Sequence, residues 1–238
     1  MDVNALLNSV LGNAGAGIDK AVNTAKSGNM PGGVLGGVAA GGLTALLLSN
    51  KKARKMGGKA LAYGGMAAIG GMAYKAWRDH QENQPVSAVA AAGGGSIPAL
   101  DAPQGSIFDL AAAQVNDAGE DMRLVLIRAM ISAAKADGHI DADEQARIEQ
   151  HIADQAIGAE EQQFLVEQLK APSDPIAIAR LSEVQVQAAE IYLVSLLALD
   201  LDTPEERRYL DRLADALLLP EELKQHLEQQ AETVVQAL

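Results

Sequence analysis

The sequence predicts an all-α protein in two unlike parts: Gly-rich membrane-associating helical segments, followed by a soluble acidic bundle of short helices. Three observations predict it. Residues 31–77 are rich in glycine, alanine and leucine, and are broken by one basic knot, Lys51-Lys52-Ala53-Arg54-Lys55. Charge is split along the chain: residues 1–84 carry 9 Lys and Arg against 4 Asp and Glu, and residues 85–238 carry 10 against 27, so the net charge is +5 before the division and −17 after it. From Ser106 onward apolar residues recur at helical spacing, and no stretch alternates as a strand.

Composition excludes several functions. There is no cysteine, which removes disulfides, thiolate metal sites and cysteine nucleophiles. The acidic balance argues against a nucleic-acid partner, because a phosphate backbone needs clustered Lys and Arg. Met1-Asp2-Val3-Asn4 lacks the positive start of a signal peptide. No Gly-x-x-x-x-Gly-Lys phosphate loop and no Gly-x-Ser-x-Gly elbow is present.

Residues 1–30 read as an N-terminal amphipathic and flexible segment, with a short helix over Val3–Val10. Residues 31–80 read as transmembrane or membrane-associated, with the basic loop 51–55 between two uncharged stretches. Gly32 to Ser49 has no charge and approaches the roughly 20 residues that a helix needs to cross a bilayer. Gly33, Gly37 and Gly41 recur every four residues, a spacing that lets a second helix approach closely and so predicts a homo-oligomer through this segment. Ala60 to Tyr74 is the second stretch. Tyr74 and Trp77 stand where aromatics meet lipid headgroups, and Lys59 and Lys75 are placed to snorkel. This pattern fits a glycine-zipper hairpin, or one span followed by a half-inserted segment. The weaker second stretch favours one span, which puts the C-terminal part on the cytoplasmic side.

Residues 81–105, with Pro85, Pro98, Pro103 and Gly93-Gly94-Gly95, read as a disordered linker. Residues 106–238 read as a helical domain. Ser106 caps a short helix through Val115, and Asp121 to Lys135 carries an apolar stripe that Gly138 stops. Asp141 with Glu144 forms a capping box for the next helix. Ala159 to Leu169 forms another, and Pro172 and Pro175 bracket a break. Ser182 with Gln185 caps a strongly apolar helix through Leu199. Thr203-Pro204 and Pro220 start the last two.

An internal echo links two turns. Aligning Asp141 with Asp202 puts Glu144 over Glu205 and Ile148 over Tyr209. Asp137, Asp141, Glu144, Asp200, Asp202 and Glu205 supply oxygen ligands of the kind that Ca²⁺ or Mg²⁺ prefer, and His139 adds a nitrogen ligand suited to Zn²⁺. The 137–148 segment is no EF-hand loop: Ala142 stands where that loop needs glycine and Ile148 where it needs glutamate. An ion must therefore be held by bringing the two turns together. The competing reading is helix capping alone, which explains Asp141 with Glu144, Thr203 with Glu206, and Gly138 without any metal.

Ala136-Asp137-Gly138-His139-Ile140 with Glu144, and the later Asp-x-Asp-x-x-Glu turn, resemble the tellurite-resistance protein TerB and its relatives. The whole layout resembles the YebE family of bacterial inner-membrane proteins. The resemblance implies a bundle of about seven helices, a divalent-cation site at the two turns, and a link to envelope or metal stress. It implies no established molecular activity. The expected function is a membrane-anchored adaptor or sensor, not an enzyme, which contacts membrane lipid and a protein partner that the sequence does not name. The alternatives are a metal-dependent enzyme using the same acidic cluster, and a structural membrane protein oligomerised by its glycine zipper.

Overall fold

A computed structural model describes residues 1–11, 57–82, 115–116, 119–138, 142–199 and 201–237. Among these residues the protein is all-helical, as expected. Its nine described helices are α1 Val3–Leu11, α2 Gly57–Gln81, α3 Met122–Ala134, α4 Ala142–Ala153, α5 Ala159–Lys170, α6 Pro175–Ala179, α7 Gln185–Leu197, α8 Pro204–Ala216 and α9 Glu221–Ala237. Seven of them, α3 to α9, fall within 106–238. The described extended pairing is one isolated antiparallel bridge, Val115 with Asp121.

Helices α3 and α7 form the centre. Each is apolar around nearly its whole circumference, which is how a helix reads when other helices surround it. Asp121 starts α3: its carboxylate accepts from the Arg123 backbone N–H and, through both oxygens, from the Arg123 guanidinium at 2.6 and 2.9 Å. Burial pushes the Asp121 carboxyl up, but the hydrogen bonds and charge of Arg123 outweigh it and hold it below the usual range. Arg123 also donates to the Asn4 side chain at 2.9 Å, which ties α1 to α3. At the other end of α3, Lys135 donates to the Gln168, Leu169 and Ala171 carbonyls and so closes the C-terminus of α5. Burial pushes its ammonium pKa down.

The second uncharged stretch lies within α2, and its described side chains meet protein. Ile69, Met72, Ala73 and Ala76 are buried in the same core as Leu126 and Leu193. Helix α2 packs along α9 and α7. Tyr74 and Trp77, expected at a headgroup level, pack against that core, and Lys75, expected to snorkel, pairs with Asp79 at 2.9 Å. The physical reason is that a glycine- and alanine-rich helix has a slim, flat surface. It gains little from lipid but lets neighbouring helices approach closely. Among the described residues no helix is long and apolar enough to cross a membrane. Gly32–Ser49, with its glycine repeat, and the basic knot lie outside them. Helix α1 joins the same core through Leu6 and Val10.

Three local expectations change. The break between Pro172 and Pro175 is present, but it is followed by a helix that was not expected: Pro175 opens α6, because Asp174 caps it and proline tolerates the first helical position. The Ser182–Gln185 cap is absent: Val184 is the N-cap of α7 without a side-chain bond, and the Ser182 hydroxyl turns to the Val184 carbonyl. The short helix expected from Ser106 lies outside the described residues up to 114, and Val115 sits in the bridge.

Glu190 is the exception in the centre. It is only 1% exposed in α7, and among the described residues neither carboxylate oxygen has a hydrogen-bond partner. Burial pushes its pKa up to about 8.

Candidate functional site

Helices α6 and α8 and the end of α3 enclose a cleft of about 210 Å³. Its wall on α8 carries Glu205, Arg208, Tyr209 and Arg212, one face of the helix at i, i+3, i+4 and i+7 spacing. Ser173 and Pro175 come from the start of α6, and Ala136 from the turn after α3.

The local sequence dictates this wall. Thr203 and Glu206 form a complete capping box, with Pro204 next to the cap. The Glu206 carboxylate accepts from the Asp202 and Thr203 backbone N–H groups, both at 3.1 Å, and the Thr203 hydroxyl accepts from the Glu206 N–H at 3.2 Å. Past the cap, Leu210 and Leu213 turn to the core, which leaves Arg208 and Arg212 outside. Tyr209 lies between them, 5% exposed, and its hydroxyl donates to Ser132 Oγ at 3.0 Å. Burial pushes the Tyr209 pKa up to about 12. Ser173 Oγ donates to the Ser132 carbonyl at 2.7 Å, which pins the rim of the cleft to α3. Asp174 is taken up by the Ile176 and Ala177 backbone N–H groups at 2.9 and 3.2 Å.

The seven residues expected to hold a cation fare differently. His139, Asp141 and Asp200 lie outside the described residues, and Glu144 is placed in the backbone of α4 only. Asp137 is half-buried in the turn after α3, next to the cleft residue Ala136. Asp202 is exposed, and its N–H is engaged by Glu206. Glu205 lines the cleft, where its Oε1 accepts from Arg208 Nη2 at 2.5 Å. The two turns thus reach one cleft, through Ala136 and Glu205. Among the described residues no group of three Asp, Glu or His is placed to hold a metal ion.

The echo has a structural counterpart. Ile148 and Tyr209, aligned by the acidic turns, are both core residues. Each turn also holds a residue of positive φ three positions past the C-cap of the preceding helix: Gly138 at 70° and Leu201 at 53°. Glycine takes that conformation freely, whereas a leucine is strained there. The Thr203 capping box starts α8 at the second turn. Thr203→Ala should lower stability by about 1 kcal/mol, measured by urea unfolding in a chelator. A chelator-dependent loss larger than the cap loss would point to an ion instead.

Sequence reasoning missed Ser173, Arg208, Tyr209 as a cleft residue, and Arg212. The available signal was the four-residue spacing of Arg208 and Arg212 after a strong cap. The cleft offers guanidinium groups, one carboxylate and hydroxyls. Among the described residues no histidine lines it: His151 contacts Gln155, and His226 bonds to the Glu222 carbonyl. This is a set for recognition by charge and hydrogen bonds.

Residues 33–231 match the model of a family described as a protein of unknown function, DUF533. An uncharacterised protein in the ampR 5′ region of Yersinia enterocolitica is 33% identical over 104 residues, which cover 44% of this chain and 75% of that relative. No solved structure matches the chain.

Proposed function

The chain belongs to the DUF533 family, which is TerB-like in general, and from that premise we propose that it is a membrane-associated helical adaptor or sensor and not an enzyme. The cleft between α6 and α8 is its docking place. One observation carries this reading: the two echoed turns, which the fold has no need to bring together for capping, share that cleft through Ala136 and Glu205. Charge recognition suits it, since Arg208 and Arg212 stand in a chain of net charge −12. The uncharged run 32–49 supplies the membrane contact, and its glycine repeat the self-association. The helical bundle faces the cytoplasm from the bacterial inner membrane. A divalent cation, Ca²⁺, Mg²⁺ or Zn²⁺, at the rim near Asp137, Asp202 and Glu205 would tie docking to envelope or metal stress.

The test is site-specific photo-crosslinking in cells. A benzophenone side chain at Ser173 should give a discrete adduct in the membrane fraction, and the same group at exposed Glu167 should not. Equal labelling at the two positions, or a wholly soluble adduct, would remove the reading. Calorimetry with each cation separates the ion from the adaptor: Glu205→Gln should weaken ion binding several-fold, and no heat with any cation would leave an ion-free adaptor.

A further inference from the structure

We infer that the cleft between α6 and α8 takes a carboxylate side chain from an acidic segment of a partner protein, with Arg212 as its anchor and Glu205 as an internal competitor. The inference rests on the reading of the cleft as a docking place, and it names the chemistry of what docks.

The charges around the cleft are unevenly satisfied. Glu205 is paired with Arg208. Asp174 is occupied by the first amides of α6. Arg212 is exposed and has no acidic partner among the described residues. A guanidinium binds a carboxylate through two parallel N–H bonds, and such charge-assisted pairs are among the stronger hydrogen bonds. Arg208 lies one turn from Arg212 on the same wall, and Glu205 already shows how that wall receives a carboxylate. The Arg208–Glu205 pair is solvent-exposed, with side chains 68% and 44% accessible, and exposed pairs hold weakly. An incoming carboxylate can therefore displace Glu205.

Size selects a side chain over a free cofactor. Small-molecule pockets run to roughly 300–1,000 Å³. This cleft has about 210 Å³ and is open to solvent. It fits one or two side chains presented on a peptide. Residues 85–238, which hold the cleft, carry a net charge of −17 and work against such a partner. Capture of an acidic segment by this part of the chain must then come from the cleft, and it must weaken with salt.

The experiment titrates the full chain into a fluorescein-labelled glutamate-rich peptide and reads anisotropy at low salt. Its control is the same peptide with glutamine in place of glutamate. Expected are binding of the glutamate peptide alone, about tenfold weaker binding by Arg212→Glu, and tighter binding by Glu205→Gln, where Arg208 is released. Arg212 is exposed, so the variant should keep its melting curve, and Arg212→Gln should fall between it and the wild type. Absence of binding by the wild type, equal affinity for both peptides, or an Arg212→Glu variant that binds like the wild type would overturn the inference. Looser binding by Glu205→Gln would overturn the role of Glu205, because that loss marks a group used to bind and not one that competes. Should the Ser173 crosslink appear while the peptide fails, the docking place stands and its carboxylate chemistry does not.

Discussion

Glu190→Leu should stabilise the protein, by a few kcal/mol at alkaline pH and by far less in acid. Glu190 is 1% exposed in the central helix, and its oxygens have no hydrogen-bond partner among the described residues. Burying a carboxylate without a counter-charge or hydrogen bond penalises the charged form, which is why its pKa is pushed from the ordinary 4.5 to about 8. The direction follows from proton binding. Below about 4.5 both the folded and unfolded chains hold the proton, and the site adds no pH-dependent cost. As pH rises from there to about 8, the unfolded chain releases the proton and the folded chain retains it, so stability falls; above that range the loss is complete. Leucine has a similar size and no proton to lose. Urea unfolding of wild type and variant at several pH values checks this. Parallel curves across that range would show that the carboxyl is solvated in the folded protein.

Met72→Ala should cost about 2–5 kcal/mol in urea unfolding without detergent or lipid. Met72 is 1% exposed and stands with Ile69, Ala73 and Ala76 where α2 meets the bundle. Truncation removes buried methyl groups and leaves a cavity that close-packed neighbours only partly fill. The result also bears on where α2 belongs. Had this helix its main contacts in lipid, its truncation would leave the melting of the soluble bundle unchanged. An unchanged midpoint for Met72→Ala, with a fall for Leu126→Ala as control, would return α2 to the membrane.

The helical reading of the C-terminal part was legible because capping and periodicity agreed there. Asp121 and Thr203-Pro204-Glu205-Glu206 mark helix starts where the structure has them, and Gly138 lies in the turn three residues past the Lys135 C-cap. Helix α6 was not legible as such: the two prolines mark the break that the structure has at 171–174, and the five-residue helix that Asp174-Pro175 opens is too short to show a periodicity. The burial of α2 escaped because an uncharged run of glycine and alanine looks alike whether its neighbours are lipid tails or other helices. Composition gives the polarity of a surface and not what covers it. Of the site, Glu205 was legible from its place in the echoed turn. Arg208 and Arg212 were not, since arginines on the outer face of a helix read as solvated until a second element, here α6, is set beside them. Glu190 was hidden by its apolar neighbours, which made α7 look wholly greasy.

The burial of α2 also bears on how the polypeptide holds together. Its Ile69, Met72 and Ala76 share a core with α7 and α9, while the peptide chain connecting α2 to α3 spans residues 82 to 121. If the chain is cut between α2 and α3, the covalent path is lost and the side chains that pack α2 on α7 and α9 are still present. The halves should then co-purify as a non-covalent pair, and a separately expressed α2 should reconstitute a bundle that lacks its own.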